Sequence, residues 1–240
     1  MEKIVYGGKN VYGYDIGILM LDSKFPRIRG DVGNAKTWDF PVLYKTVVGG
    51  TPKKVVLELT EDDIEPFILA AKELEQAGVK AITTSCGFLA LFQKQLANAV
   101  NIPVFTSALL MVPFVKRFIG ENRKIGILTA NSKTLSDAHL RAVGIRKEDV
   151  VIKGLEDKEV FTDFTVQNWD RVDTEKCRAE LLEATEELLH ENDDIGAMVL
   201  ECTNMPPYTK DIQQVVGMPV FDIVTLVNFV HSGIVMTEEL

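Results

Sequence analysis

Apolar, β-branched runs alternate along this chain with stretches whose apolar residues recur at helical spacing. The runs predict strands over 15–21, 42–48, 79–85, 102–106, 124–129, 149–153, 196–201 and 218–221. Between them, Ile64, Phe67, Ile68, Ala71 and Leu74 share one helix face that ends near Gly78, with Pro66 tolerated in the first turn. Phe88, Leu91, Phe92, Gln95 and Ala99 hold the same spacing, as do Cys177, Leu181, Ala184 and Leu188 within 173–190. Buried strands alternating with helices predict an α/β fold, with mostly parallel sheets flanked by helices.

The pattern is also duplicated. Ile16-Gly17-Ile18-Leu19 returns as Ile125-Gly126-Ile127-Leu128, 109 positions later. Cys86 in GVKAITTSCGF and Cys202 in IGAMVLECTNM are 116 apart, and so are Pro103 and Pro219, which open two Pro-Val-Phe runs. Three matches in one order predict two pseudo-symmetric domains, too long in period for a solenoid. The change of offset is an insertion in a connecting region. No low-complexity linker parts the halves, so they should pack closely.

Composition narrows the partners. A net charge of −9 over 240 residues argues against nucleic acid, which demands a basic face. No apolar run approaches the roughly 18–20 residues of a membrane span. The start, MEKIVYGGKN, has no signal-peptide core, so a cytoplasmic protein is expected. Three cysteines, an odd number, read as reduced thiols. A small molecule is the partner left, with a homodimer open.

The candidate chemistry gathers at the two strand ends. In open α/β sheets ligands bind beyond the carboxyl ends of strands, where Cys86 and Cys202 both fall. A helix starting after each cysteine would favour the thiolate, lower the thiol pKa and hold a substrate carboxylate on backbone N–H groups. Gly87 and Phe88 would supply such N–H groups, and Thr84, Ser85, Thr203 and Asn204 flank the sulfurs as further donors. In the charged loop LDSKFPRIRGDVGN, Arg27 or Arg29 is a candidate for a substrate carboxylate; the alternative is a solvated charge or a pair with Asp31 or Asp39. Thr129, Asn131 and Ser132 follow the equivalent strand of the second half and should face the same cleft, though Asn131 also suits a turn.

Other residues read more plainly. Cys177 sits at core spacing on its helix. Neither Cys86 nor Cys202 has a Cys or His at ligand spacing, so no metal is expected. His139, His190 and His231 are dispersed, at the surface or at helix ends. The glycine pairs lack a phosphate-loop pattern, and no cofactor is expected.

The two cysteine motifs, the strands before them and the duplicated order resemble the aspartate/glutamate/hydantoin racemase superfamily over nearly the whole chain. Cys202-Thr203 after Val-Leu-Glu is similar to that family's Cys-Thr signature. The resemblance implies two α/β domains with the site in the cleft between them. It also implies a last helix packed on the first domain: 1–105 plus 222–240, and 106–221. The implied activity is a cofactor-independent racemase or epimerase of an amino acid or related small carboxylate. Cys86 and Cys202 would transfer the proton in two-base fashion, one as thiolate and one as thiol. Two departures, Cys86-Gly87-Phe88 in place of Cys-Asn-Thr and Glu201 and Asn204 around Cys202-Thr203, leave the substrate open. Maleate-type isomerisation or arylmalonate-type decarboxylation of a small diacid are the alternatives. A binding module for a small carboxylate is a third reading.

Overall fold

A computed structural model describes residues 7–235 of the chain. Eight strands form: β1 (Ile16–Leu21), β2 (Val42–Val47), β3 (Ala81–Thr84), β4 (Val104–Phe105), β5 (Lys124–Thr129), β6 (Val150–Gly154), β7 (Ile195–Leu200) and β8 (Val220–Phe221). Each falls on one of the apolar runs. They make two four-stranded parallel sheets, ordered β2-β1-β3-β4 and β6-β5-β7-β8, so the duplicated sequence is a duplicated topology. β1 and β5 lie between neighbours on both sides, which is why Ile16–Leu19 and Ile125–Leu128 read as unbroken apolar runs.

The helices are α1 (Pro52–Leu57), α2 (Glu65–Ala77), α3 (Gln93–Ala99), α4 (Val112–Val115), α5 (Asp137–Ala142), α6 (Glu159–Thr165), α7 (Thr174–Glu191), α8 (Thr209–Val216) and α9 (Ile223–Ile234). α2 buries Phe67, Ala70, Ala71 and Leu74, one stripe at helical spacing. α7 buries Cys177, Leu181, Ala184 and Leu188 in the same way, so Cys177 is a core residue. The repeated glycine of the Ile-Gly-Ile-Leu runs lets these helices close on the sheet. A Cβ on Gly17 would lie 3.0 Å from Leu74 Cδ1, and one on Gly126 would lie 3.2 Å from Leu188 Cδ2.

The insertion can be placed. Val42 and Val150, which open β2 and β6, are still 108 apart, so the extra residues fall after β6. There α7 runs for 18 residues against the 13 of α2. α9 returns to the first sheet, where His231 stacks on Phe40 with ring centroids 3.5 Å apart. The last five residues of the expected 222–240 segment lie outside the described residues. Among the described residues no helix is long and apolar enough to cross a membrane.

Candidate active site

The two cysteine loops leave their sheets by the same device. Ser85 donates its N–H to the Leu19 carbonyl (2.9 Å), and Glu201 donates its N–H to the Leu128 carbonyl (2.8 Å). Ser85 and Glu201 are equivalent positions, 116 apart, as Leu19 and Leu128 are at 109. Their side chains also play matching parts. Ser85 Oγ accepts the Leu21 N–H (2.8 Å), while the Glu201 carboxyl accepts the Ala130 N–H and, through Oε2, the Thr129 hydroxyl (2.8 Å). One half therefore holds a hydroxyl where the other holds a carboxyl.

Each sulfur follows directly. Cys86 caps a 3₁₀ turn over Gly87–Phe92, and the Phe88 N–H turns back towards its sulfur. Cys202 opens a tight turn in which Met205 donates its N–H to the Cys202 carbonyl (3.1 Å). No helix starts at once after Cys202, contrary to the sequence expectation, and the Asn204 N–H takes that role.

The halves meet at these loops. Thr203 Oγ1 donates to the Ser85 carbonyl at 2.6 Å. On the opposite pairing, a Cβ on Gly87 would collide with the carbonyl and the Oε1 of Glu201. The substitutions are thus complementary: glycine stands where the larger Glu201 presses in, and threonine where the smaller Ser85 leaves room. Gly87 belongs to the site as cleared space as much as through its N–H.

Both sulfurs line one small, tight cavity. Ser85, Cys86, Phe88, Glu201, Cys202, Thr203 and Asn204 form its floor, and Leu21, Phe25, Pro52, Val56, Ala130, Thr165 and Val166 complete the walls. Lys24 donates its N–H to Asn168 Oδ1 (2.8 Å) and Phe25 packs edge-on against Phe164 (5.1 Å), which joins the charged loop to α6 over the cavity. The sulfurs are consequently buried, Cys86 being 7% and Cys202 8% exposed.

That burial reverses the expected thiol chemistry. It pushes both thiols up, and the Glu201 carboxylate pushes them further; the Phe88 and Asn204 N–H groups pull the other way and lose. Glu201, 1% exposed, is itself pushed up to about 7 by burial, against the pull of Thr129 and Ala130. Its Oε1 finds no hydrogen-bond partner among the described residues.

Asn204 gives the two sulfurs different surroundings. Its Nδ2 donates to Asp31 Oδ2 at 2.6 Å, so its Oδ1 faces Cys202 Sγ at 3.6 Å and accepts the S–H. Cys202 is thereby held as a thiol.

The remaining candidates do not line the cavity themselves. Arg27 pairs with Asp31 (2.9 Å), donates to Ser23 Oγ (2.9 Å) and lies over the Phe25 ring, close enough for its charge to pull the Cys86 thiol down. Thr129 stands behind Glu201. Asn131 Oδ1 accepts the N–H groups of Lys133 and Thr134 as a turn residue, and Ser132 bonds Glu156. His139 takes the helix-end role: its Nδ1 accepts the Ser136 N–H (3.2 Å) at the start of α5, and its ring is buried edge-on against Phe88 (5.4 Å), where burial pushes it down to about 4. Sequence reasoning missed Glu201 and Asp31 as site residues. The 116-residue offset would have flagged Glu201, opposite a serine in the other copy; nothing local marks Asp31. Among the described residues no three His, Cys, Asp or Glu side chains converge as a metal site.

Comparison with known proteins agrees with this architecture. The family model described as Asp/Glu/Hydantoin racemase matches residues 47–227. A dimethylsulfoniopropionate lyase of Durusdinium sp. clade D is 30% identical over 233 residues, 94% of this chain and 77% of that protein. Dimethylsulfoniopropionate lyase 3 of Emiliania huxleyi is 31% identical over 223 residues, 89% of this chain and 58% of that protein. Among solved structures, a glutamate racemase isoform from Bacillus anthracis superimposes with a TM-score of 0.59 at 17% identity, covering 92% of this chain and 83% of its own. A Gly74Cys mutant of arylmalonate decarboxylase gives 0.59 at 17% identity, covering 90% and 91%. The structural likenesses speak for the fold alone.

Proposed function

This chain belongs to the Asp/Glu/hydantoin racemase family, and we propose that within it the protein is a lyase of the dimethylsulfoniopropionate kind. In this reading a cavity thiolate removes the α-proton of a small carboxylate carrying a cationic leaving group on its β-carbon. The observation that carries the proposal is the make-up of the cavity. Two thiols and one carboxyl stand among apolar and aromatic walls, and none of the described residues lining it is cationic. A dicarboxylate would bring a second negative charge next to Glu201, where the nearby guanidinium of Arg27 is already paired with Asp31. That counts against aspartate, glutamate, maleate and malonates. A zwitterion whose far end is a sulfonium brings a positive charge that suits both the carboxyl and the Phe88 ring. The curated relatives' names point the same way.

The chemistry needs little more. The thiolate takes the α-proton, the C–H electron pair becomes the C=C bond, and the C–S bond breaks with its pair leaving on sulfur. Acrylate and neutral dimethyl sulfide result, and the proton stays on the thiol. No acid is needed for a leaving group that departs neutral. Cys86, with an N–H donor and no acceptor at its sulfur, is the better placed thiolate, while Cys202 S–H is engaged by Asn204. Release of acrylate and dimethyl sulfide in equal amounts from dimethylsulfoniopropionate tests the proposal.

A second reading keeps the racemase or epimerase activity, with Cys86 and Cys202 as opposed bases. One observation favours it: both sulfurs line the same cavity, whereas elimination needs only one base. The two readings share the α-carbanion and differ in its fate. With no leaving group on the β-carbon, it is reprotonated. Exchange of the α-hydrogen for deuterium in acids without a β-leaving group tests this alternative.

A further inference from the structure

Glu201 is the one position of the floor where the duplicated halves differ in charge. Its counterpart, Ser85, satisfies its backbone partner with a hydroxyl. The carboxyl is far more costly to bury, and Gly87 is kept without a side chain on its account. One oxygen is spent on Thr129, and the other is buried without a partner. A group placed at such cost beside two thiols, neither of which ionises readily in this cavity, needs a use.

We propose that Glu201 is a third proton-carrying group of this site: it takes the proton from a thiol to create the thiolate, then passes it to water once the product has left. Oε1 makes no hydrogen bond to either sulfur, so the transfer runs through one water. The proposal rests on the reading of the cavity as a thiol acid/base site. Elimination sharpens the need. A zwitterion becomes a neutral sulfide and an anion, so each turnover leaves one proton in the enzyme. The groups facing the exchange are Cys86, Cys202 and the Thr129 hydroxyl, with the Arg27–Asp31 pair beyond Asn204 and His139 behind Phe88. Burial is what chiefly holds the thiols protonated and the carboxylate's charge adds to it, so a thiolate forms here only as Glu201 gives up its own charge by taking the proton. The three groups thus share a single negative charge.

The test is alkylation of Cys86 and Cys202 by iodoacetamide, followed by mass spectrometry from pH 5 to 9 in wild type and Glu201→Gln. Glutamine retains the bonds to Thr129 and Ala130. In wild type, alkylation should rise through a transition near pH 7; in Glu201→Gln that transition should vanish, and the rate at pH 7 should fall about tenfold or more. A carboxylate that merely repels the thiolates gives the opposite result, faster alkylation in Glu201→Gln. That outcome, or a wild-type profile with no transition near pH 7, overturns the proposal. The experiment needs no substrate, so it decides the role of Glu201 even if wild type releases no acrylate, a result that would overturn only the lyase reading.

Discussion

Asn204 and Asp31, 173 positions apart in sequence, are joined by a 2.6 Å hydrogen bond across the two halves. A carboxylate can only accept, so the bond fixes which way the Asn204 amide points. The amide oxygen is left facing Cys202 and accepts its S–H, adding to what burial and Glu201 already do to keep that thiol protonated. A loop of the first half thereby orients a contact of a sulfur in the second.

Asp31→Ala should therefore harm both fold and chemistry. It removes the acceptor of Arg27, of the Gly33 N–H and of Asn204 together. A loss of about 2–4 kcal/mol is expected from urea denaturation. Arg27→Lys, which keeps a charge beside Asp31, should cost less than half of that if the pair acts within the loop and does not hold substrate.

Loss of either cavity thiol should be felt in turnover and little in stability. Cys86→Ala is expected to lower kcat/KM roughly 10²–10⁴-fold, the usual contribution of a positioned base, and Cys202→Ala, whose thiol the elimination does not need, by less than about tenfold. Cys177→Ala, in the core under α7, should leave the rate within about twofold and cost about 1 kcal/mol in denaturation. Equal kinetic losses at all three would point to packing alone.

A paired glycine experiment separates cleared space from backbone freedom. Gly87→Ala must push against Glu201 and is expected to destabilise by about 1–3 kcal/mol with loss of activity. Gly233→Ala, in α9 with nothing within 4 Å of the new carbon, should stabilise by about 0.5–1 kcal/mol. Thermal melts of the two variants check both signs.

Glu201 also predicts a pH dependence of stability. Its folded pKa, about 7, is raised from 4.5, so the folded protein holds the proton more tightly than the unfolded chain. Its contribution is fully present below pH 4.5 and is lost as the pH rises through 7, by an amount on the order of 3 kcal/mol. His139, pushed down to about 4 from 6.5, acts the other way: its contribution is lost as the pH falls from 6.5 through 4. The difference between wild type and Glu201→Gln isolates the carboxyl. Denaturation at pH 4.5 and pH 8 should show Glu201→Gln gaining on wild type only at the higher pH.

Much of this was legible in the chain. Strands such as Ile16–Leu21 and Ile195–Leu200 are buried on both faces, so they appear as unbroken apolar runs. The predicted 79–85 shrinks to Ala81–Thr84 because Lys80 is still held by the Asp15 carbonyl at the turn from α2. α1 and α6, of six and seven residues, are too short to show a helical period, so the walls they give the cavity were missed. The thiols were found because the repeat marks their positions. Their high pKa values were not, because burial depends on Phe25, Phe164 and Asn168 closing over them from distant segments. Asp31 was hidden for the same reason, since its partner Asn204 lies in the other half.

The most direct test of the account is to incubate wild type, Cys86→Ala and Cys202→Ala with dimethylsulfoniopropionate and follow acrylate by NMR and dimethyl sulfide in the gas phase. Equal release of both products by wild type, abolished in Cys86→Ala and retained at a reduced rate in Cys202→Ala, is the predicted result. No release by wild type, alongside α-deuterium exchange or inversion of an amino acid, would contradict the lyase reading and return the two thiols to racemase chemistry.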